Sequence, residues 1–246
     1  MKILLVGATG AMGKIIAEIS EEETGVDIVA GVGAGQAQFD FPLYEDFEDI
    51  KEDFDCIIDF SNKDLTPQLL DYIGSSKKRA VIATTGLSDA VKSQMKSLSE
   101  QTSILYAQNM SVGVNTIDRI VGQLTQILSD FDVEIIEKHH NKKMDAPSGT
   151  AEMLFNTVKE NKKEAYARYD RSKDHKRRDK DEVGIMSMRG GTIVGEHSVI
   201  FAGTDEVIEI KHSAGSKKIF GKGALRAARF LMSKDKGFYN MKDALK

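Results

Sequence analysis

Short apolar runs alternate with helical patterns through the first half of the chain. A continuous apolar run is typical of a strand buried on both faces, and apolar side chains three or four positions apart are typical of an amphipathic helix. The pattern predicts strands at 2–6, 27–32, 55–60, 80–84 and 103–107, and helices at 12–22, 64–73 and 88–100. This alternation predicts a parallel sheet covered on both faces, which is an α/β fold.

The pattern changes after about residue 110. Helices are predicted at 112–129, 150–164 and 219–234, and strands at 132–140, 192–203 and 206–214. The turn Gly203-Thr204-Asp205 joins the last two strands and predicts an antiparallel hairpin, so the pattern favours antiparallel strands in the second half. The sequence therefore predicts two domains, a nucleotide-type α/β domain at 1–109 and an α+β domain that begins at 110.

Composition narrows the class of protein. The chain has 246 residues, a formal net charge of −4 and a single cysteine, Cys56, which lies in an apolar run and predicts a buried, inert thiol. A mildly acidic chain is a poor candidate for binding nucleic acid, and the basic residues of 168–182 alternate with acids, as in a solvated loop. The apolar runs are strand-sized and no signal peptide is evident, so we expect no membrane association and a cytoplasmic location.

A glycine loop follows the first predicted strand. The sequence GATGAMG places Gly7, Gly10 and Gly13 before a helix, where backbone amides could contact a pyrophosphate because no side chain intervenes. A tight strand-to-helix turn is the structural alternative. The acid or arginine expected after the second strand is absent from GVGAGQAQ (31–38), so the sequence does not choose between NADH and NADPH.

The stretch EKHHNKKMDAPSGT (137–150) concentrates the candidate chemistry. Adjacent histidines on a strand point to opposite faces, so we expect no metal site there. Ser148 or Thr150 could cap the next helix, whose first amides at Gly149 and Thr150 could bind an anion. A histidine, a lysine and a helix N-terminus suit a carboxylate substrate that needs a proton, whereas the structural alternative is an exposed polar loop.

The same stretch resembles the signature E-x-H-H-x-x-K-x-D-A-P-S-G-T of the 4-hydroxy-tetrahydrodipicolinate reductase (dihydrodipicolinate reductase) family of diaminopimelate and lysine biosynthesis. The resemblance continues in family order through nearly the whole chain, in GATGAMG (7–13), DFSN (59–62), ATTG (83–86), AQNMSVGVN (107–115) and RGGTIVGEH (189–197). It implies a Rossmann-like dinucleotide-binding domain at 1–109, rejoined by 216–246, and a substrate-binding and tetramerisation domain at 110–215 with a mixed sheet. A homotetramer built through the long strands at 192–214 is the implied assembly.

The resemblance also implies an activity, the reduction of 4-hydroxy-tetrahydrodipicolinate, a cyclic dicarboxylate, with NADH, NADPH or both. His139 would be the general acid, Lys143 a second proton donor that also holds a carboxylate, and His140, Gly149 and Thr150 substrate-binding residues. The implied cofactor-binding residues are Gly7, Ala8, Thr9, Gly10, Ala11, Met12, Ala83, Thr84, Thr85, Ala107, Gln108, Asn109 and Met110.

The chain departs from the family pattern at several positions. Ala11 stands where many members have arginine, and Gly33-Ala34 where some have an acid and an arginine, which bears on cofactor preference. Ala83 replaces a commoner glycine, and Gln108 a commoner proline. The competing hypotheses are another NAD(P)-dependent dehydrogenase of a small carboxylate, a non-catalytic nucleotide sensor, and a nucleic-acid-binding protein that uses the basic residues at 176–180.

Overall fold

The computed structural model describes residues 1–35 and 37–246, so Gln36, within the stretch that lacks an acid, lies outside the described residues. The chain divides into two compact units. We call Met1–Val112 with Lys217–Lys246 the discontinuous unit, and Gly113–Ser216 the central unit.

The described residues form twelve strands and seven α-helices. The strands are β1 (Lys2–Val6), β2 (Asp27–Val32), β3 (Leu43–Tyr44), β4 (Cys56–Asp59), β5 (Arg79–Ile82), β6 (Ser103–Tyr106), β7 (Asp132–His139), β8 (Tyr166–Arg168), β9 (Glu182–Arg189), β10 (Gly195–Ala202), β11 (Val207–Ala214) and β12 (Gly237–Tyr239). The helices are α1 (Ala11–Glu22), α2 (Thr66–Ser76), α3 (Asp89–Leu98), α4 (Val112–Ile127), α5 (Gly149–Asn161), α6 (Lys218–Leu231) and α7 (Met241–Ala244).

The discontinuous unit is a doubly covered parallel sheet. Its seven strands pair in the order β12-β6-β5-β4-β1-β2-β3, and every pair is parallel. Side chains of α1 and α6, such as Ile16 and Leu225, pack in a core on one face, and Leu70 and Met95 from α2 and α3 pack in a core on the other. The predicted α/β class is confirmed, because these continuous apolar strands are buried on both faces.

The strand order reverses between β1 and β4, and such a switch point leaves a crevice at the carboxyl ends of the two strands. The loops that leave this edge carry the glycine loop and the DFSN motif. Cys56, at the start of β4, is fully buried, and burial raises the pKa of its thiol to about 12. The predicted buried thiol is therefore confirmed.

The central unit is a five-stranded sheet packed against helices. The strands pair in the order β11-β10-β7-β9-β8, and the core beneath them includes Val121 from α4, Leu154 from α5 and Phe201 from β10. β10 and β11 form the predicted antiparallel hairpin, and Asp205 in its turn has a φ of 63°.

The sheet of the central unit corrects one prediction from the pattern. The pattern suggested antiparallel strands, but β9 pairs in parallel with both β7 and β8, so the sheet is mixed, as the family resemblance implied. β9 itself was not predicted, because Gly184 interrupts its apolar run and the strand directly follows a highly charged segment. A Cβ at Gly184 would overlap the carboxylate of Glu134 on β7, so a larger residue there would displace that side chain.

The charged segment 168–182 is a loop for most of its length, and three of its arginines, Arg168, Arg171 and Arg178, are paired with acids. Arg178 contacts Asp132 at 2.6 Å and Glu134 at 3.0 Å, and Arg171 pairs with the buried Glu182. These ion pairs tie the loop to β7 and β9. None of the helices in the described part of the chain has the length and hydropathy needed to cross a bilayer.

Candidate active site

The glycine loop of the discontinuous unit is shaped by close backbone contacts. Gly7 has a φ of +80°, and a Cβ there would lie 2.7 Å from the carbonyl oxygen of Phe60. A Cβ at Gly13 would overlap the carbonyl oxygen of Gly7. Gly10 is the N-cap of α1 and has no side chain to occupy the first amides of the helix. The loop therefore fits a dinucleotide pyrophosphate, which needs uncovered backbone amides at a helix N-terminus.

A cavity of about 570 Å³ lies beside this loop. Gly33, directly after β2, borders the cavity, and a Cβ there would lie 2.7 Å from the Thr9 hydroxyl, so a larger residue would force Thr9 to move. The acids that line the cavity are Glu45 and Asp46, which follow β3 rather than β2. Sequence reasoning missed them because the fingerprint places the acid directly after the second strand.

A buried carboxylate joins two loops at the same edge of the sheet. Asp59, at the end of β4, is fully buried and accepts hydrogen bonds from the Thr84 hydroxyl at 2.7 Å and the Ser61 amide at 2.9 Å. Burial raises the pKa of Asp59. Asp59 therefore connects the DFSN loop to the ATTG loop. Its position in the DFSN motif is the only sequence feature that could have indicated this role.

The thirteen predicted cofactor residues differ in exposure, which limits what each can offer. The buried members are Ala8, Ala83, Thr84 and Met110. The exposed members are Gly10, Ala11, Thr85 and Gln108, and the partly exposed members are Gly7, Thr9, Met12, Ala107 and Asn109.

In the central unit, β7 positions the candidate general acid. Residues two apart on a strand share a face, so Glu137 and His139 lie together, and the register of β7 with β9 places Arg189 opposite His139. His139 Nδ1 lies 2.6 Å from Glu137 Oε2, and Arg189 donates to both carboxylate oxygens at 2.7 and 2.8 Å. Burial alone would raise the pKa of Glu137, but the hydrogen bonds from Arg189 and His139 lower it to about 2.

The start of α5 is joined to this group. Ser148 is the N-cap, and its hydroxyl accepts from the Ala151 amide at 3.2 Å and lies 2.9 Å from His197 Nε2. The Ser148 amide donates to Glu137 Oε1 at 3.2 Å. Of the two caps predicted, Ser148 is therefore the one used, and Gly149 opens the helix beside the Glu137–His139 pair.

The other predicted residues lie in the connecting loop. Lys143 Nζ contacts Asp145 at 2.8 Å, and the hydrogen bond from Lys143 lowers the pKa of Asp145. His140 is partly exposed, and its Nδ1 atom is buried without a hydrogen-bond partner among the described residues. Lys142 is exposed.

His197 is a buried histidine that sequence reasoning missed. Its ring lies edge-on to that of His139, with centroids 5.1 Å apart, and its cross-strand neighbour is His212. Burial and the nearby charge of His139 lower its pKa to about 4. His197 therefore stays neutral at physiological pH.

This depressed pKa predicts acid sensitivity. The unfolded chain binds the His197 proton more readily between about pH 6.5 and pH 4, so the free energy of unfolding should fall as the pH drops through that window. The contribution of this group is roughly 3 kcal/mol. Urea unfolding at a series of pH values measures how the free energy of unfolding depends on pH. Between about pH 6.5 and pH 4 this dependence should be weaker for His197→Phe than for the wild type and for the control His175→Ala.

Two other groups, His212 and Glu137, also contribute to the pH dependence of the free energy of unfolding. Burial also lowers the pKa of His212, so part of the slope should remain in His197→Phe. Glu137, whose pKa is about 2, loses its contribution only as the pH falls below about 4.5. An unchanged slope in His197→Phe would mean that His197 is not a buried neutral group.

Two family models cover nearly the whole chain. The model described as "Dihydrodipicolinate reductase, N-terminus" matches residues 1–110, and the one described as "Dihydrodipicolinate reductase, C-terminus" matches residues 113–245. The chain belongs to the dihydrodipicolinate reductase family. The resemblance found in the sequence is thereby confirmed, and with it a cofactor of the pyridine-nucleotide class, since the family consists of pyridine-nucleotide-dependent reductases.

Relatives in this family match over nearly their full length. A 4-hydroxy-tetrahydrodipicolinate reductase of Caldanaerobacter subterraneus subsp. tengcongensis is 42% identical over 250 residues, which cover 100% of this chain and 98% of the relative. One of Staphylococcus aureus is 43% identical over 240 residues, which cover 97% and 98%. The dipicolinate-bound dihydrodipicolinate reductase from Paenisporosarcina sp. TG-14 has the same fold, with a TM-score of 0.85 at 20% identity over 100% of this chain and 99% of that one.

Proposed function

We propose that this member of the dihydrodipicolinate reductase family reduces 4-hydroxy-tetrahydrodipicolinate to tetrahydrodipicolinate with NADH or NADPH in diaminopimelate and lysine biosynthesis. One observation carries the proposal. A histidine held by a buried carboxylate, a lysine and a helix N-terminus occur together within residues 137–150. This set offers a proton, a cation and backbone amides, which are the groups that reduction of a dicarboxylate needs.

His139 is the proposed general acid. Its Nδ1 contacts Glu137, so Nε2 is the nitrogen available to a substrate. A Cβ at Gly195 would lie 3.0 Å from Nε2, so a glycine at this position keeps that nitrogen uncovered. Lys143 is the proposed second proton donor, and Gly149 and Thr150 at the start of α5 would bind a substrate carboxylate, with His140 as a further substrate contact.

The glycine loop is the proposed site for the cofactor pyrophosphate. Gly7, Gly10 and Gly13 allow close approach, and the segments that follow β5 and β6 would border the ribose and nicotinamide. A bound nicotinamide would supply the hydride.

An assay with freshly made synthase product tests the activity. Purified protein should oxidise reduced nicotinamide, followed by absorbance, in the presence of the product formed from pyruvate and aspartate semialdehyde. NADH and NADPH run in parallel give two kcat/KM values and the cofactor preference. If the folded protein shows no turnover with either cofactor, the activity is refuted, and a screen of other small carboxylates would test the competing dehydrogenase hypothesis.

A homotetramer is the proposed assembly. The β11 residues Ile208 and Ile210 pack in the core, so Val207, which is 65% exposed, lies on the other face of the sheet. By the same alternation Met188 on β9, 52% exposed, shares that outer face. Apolar side chains exposed on one sheet face suit burial against another subunit.

Sedimentation velocity tests this assembly. Wild-type protein should sediment as a tetramer, and Val207→Lys should shift the mass towards smaller species. Ile127→Lys is the matched control, because Ile127 is 72% exposed but lies on α4. A monomeric wild type, or an equal shift in both variants, would contradict a tetramer built through the sheet.

A further inference from the structure

The carboxylate of Glu137 is buried and contacts several residues of the candidate site. Its side chain is fully buried, and four donors surround it: His139 Nδ1, two nitrogens of Arg189 and the Ser148 amide. A carboxylate offers about four acceptor positions, so these contacts saturate it. From this geometry we propose that Glu137 is the positioning residue that aligns both the proton donor and the carboxylate-binding helix of the proposed reductase.

The first half of this role is to choose the tautomer of His139. An ionised carboxylate can only accept hydrogen bonds, so the nitrogen that faces Glu137 must carry a hydrogen. The second nitrogen, Nε2, is then the one that exchanges a proton with a substrate. Gly195 leaves space beside that nitrogen. Glu137 therefore determines which nitrogen of His139 faces the reaction.

The second half is to fix the start of α5. Glu137 Oε1 accepts from the amide of Ser148, the residue directly before Gly149. The Ser148 hydroxyl contacts the neutral His197, whose ring packs edge-on against His139. One carboxylate thus connects the imidazole to the helix N-terminus, and a shift of Glu137 would move both together.

Arg189 makes this buried carboxylate possible. A buried charge without a partner is costly, and a two-pronged arginine contact neutralises it while fixing the plane of the carboxylate. The same guanidinium donates to the Asp145 carbonyl oxygen at 2.6 Å. Arg189 therefore also fastens the loop that carries Lys143 to the Glu137 group.

The role rests on the proposed reductase function, and its test separates the two. Glu137→Gln keeps the size of the side chain but adds an N–H group, so it should misplace the imidazole and lower kcat by roughly 100-fold. The dissociation constant of NADH, measured by calorimetry, should not change. In ¹⁵N spectra of histidine-labelled protein at a pH where the ring is neutral, His139 should be protonated on Nδ1 in the wild type and lose that preference in the variant.

A second variant keeps the hypothesis testable if Glu137→Gln does not fold. Gly195→Ala places a methyl group beside Nε2 and should lower kcat without changing the Nδ1–H tautomer, whereas Gly215→Ala, where a Cβ meets no atom within 4 Å, should leave kcat unchanged. A wild-type His139 protonated on Nε2, or an active wild type whose kcat and spectra survive Glu137→Gln, would overturn the role. A wild type with the Nδ1–H tautomer but no turnover would instead refute the reductase activity.

Discussion

Replacing His139 with alanine should lower kcat by about 10²–10⁴-fold, the usual contribution of a positioned general acid. Without the imidazole, the proton must come from Lys143 or from water, and neither replaces the positioned general acid. The KM should change less, since the proposed carboxylate contacts lie at Lys143 and the start of α5. Steady-state kinetics with the better of the two cofactors measures both constants.

The fold should survive this substitution. Glu137 keeps its contacts with Arg189 and the Ser148 amide, so no buried charge is left unpaired. Circular dichroism and the thermal midpoint should confirm a folded variant, and His175→Ala, an exposed histidine in the charged loop, is the matched control. If His139→Ala retains the wild-type kcat, another group protonates the substrate.

Five strands of the discontinuous unit, β1, β2, β4, β5 and β6, could be predicted because they are apolar and largely buried, whereas the short, partly exposed edge strands β3 and β12 were not predicted. The run at 2–6 and the helix at 12–22 correspond to β1 and α1 within one residue. The glycine loop between them could be recognised from its spacing, because Gly10 and Gly13 lie close to the backbone of the loop itself, whereas the contact of Gly7 with Phe60 is distant in sequence. The pairing partners of a strand, in contrast, lie far away along the chain, so the local sequence does not reveal them.

In the central unit, the local sequence pattern does not predict how the strands pair. Alternating burial on β7 and β11 does not reveal whether a neighbour runs parallel or antiparallel, and β9 joins the sheet through contacts made some fifty residues away along the chain. Gly184 weakens the apolar pattern of β9, and its neighbour, the Glu134 side chain on the adjacent strand, is not visible in the local sequence.

The candidate site divides in the same way. Residues 139–150 could be predicted as a group because they are contiguous and chemically unusual. Glu137 could have been noticed from its two-residue spacing to His139 on a strand. Nothing in the local sequence connects Arg189 or His197 to that spacing, because the sheet register brings them together.

Lys143→Ala should impair both kcat and KM. Loss of a charge-assisted hydrogen bond of about 1.5–3 kcal/mol to a carboxylate corresponds to roughly a 10–100-fold rise in KM. Loss of a proton donor adds a fall in kcat of about 10²-fold or more. Lys142→Ala is the matched control. It removes the same charge from the neighbouring position, where the lysine side chain is exposed.

The ion pair between Lys143 and Asp145 also affects the KM of the Lys143→Ala variant. Asp145 is 60% exposed and lies 2.8 Å from Lys143, so removal of the lysine uncovers a carboxylate that repels a dicarboxylate substrate. The double variant Lys143→Ala/Asp145→Ala should therefore recover part of the KM but none of the kcat. Full recovery of kcat in the double variant would show that Lys143 only masks Asp145, and a KM effect without a kcat effect in Lys143→Ala would reduce the lysine to a binding residue. Only a persistent loss of kcat assigns it a proton.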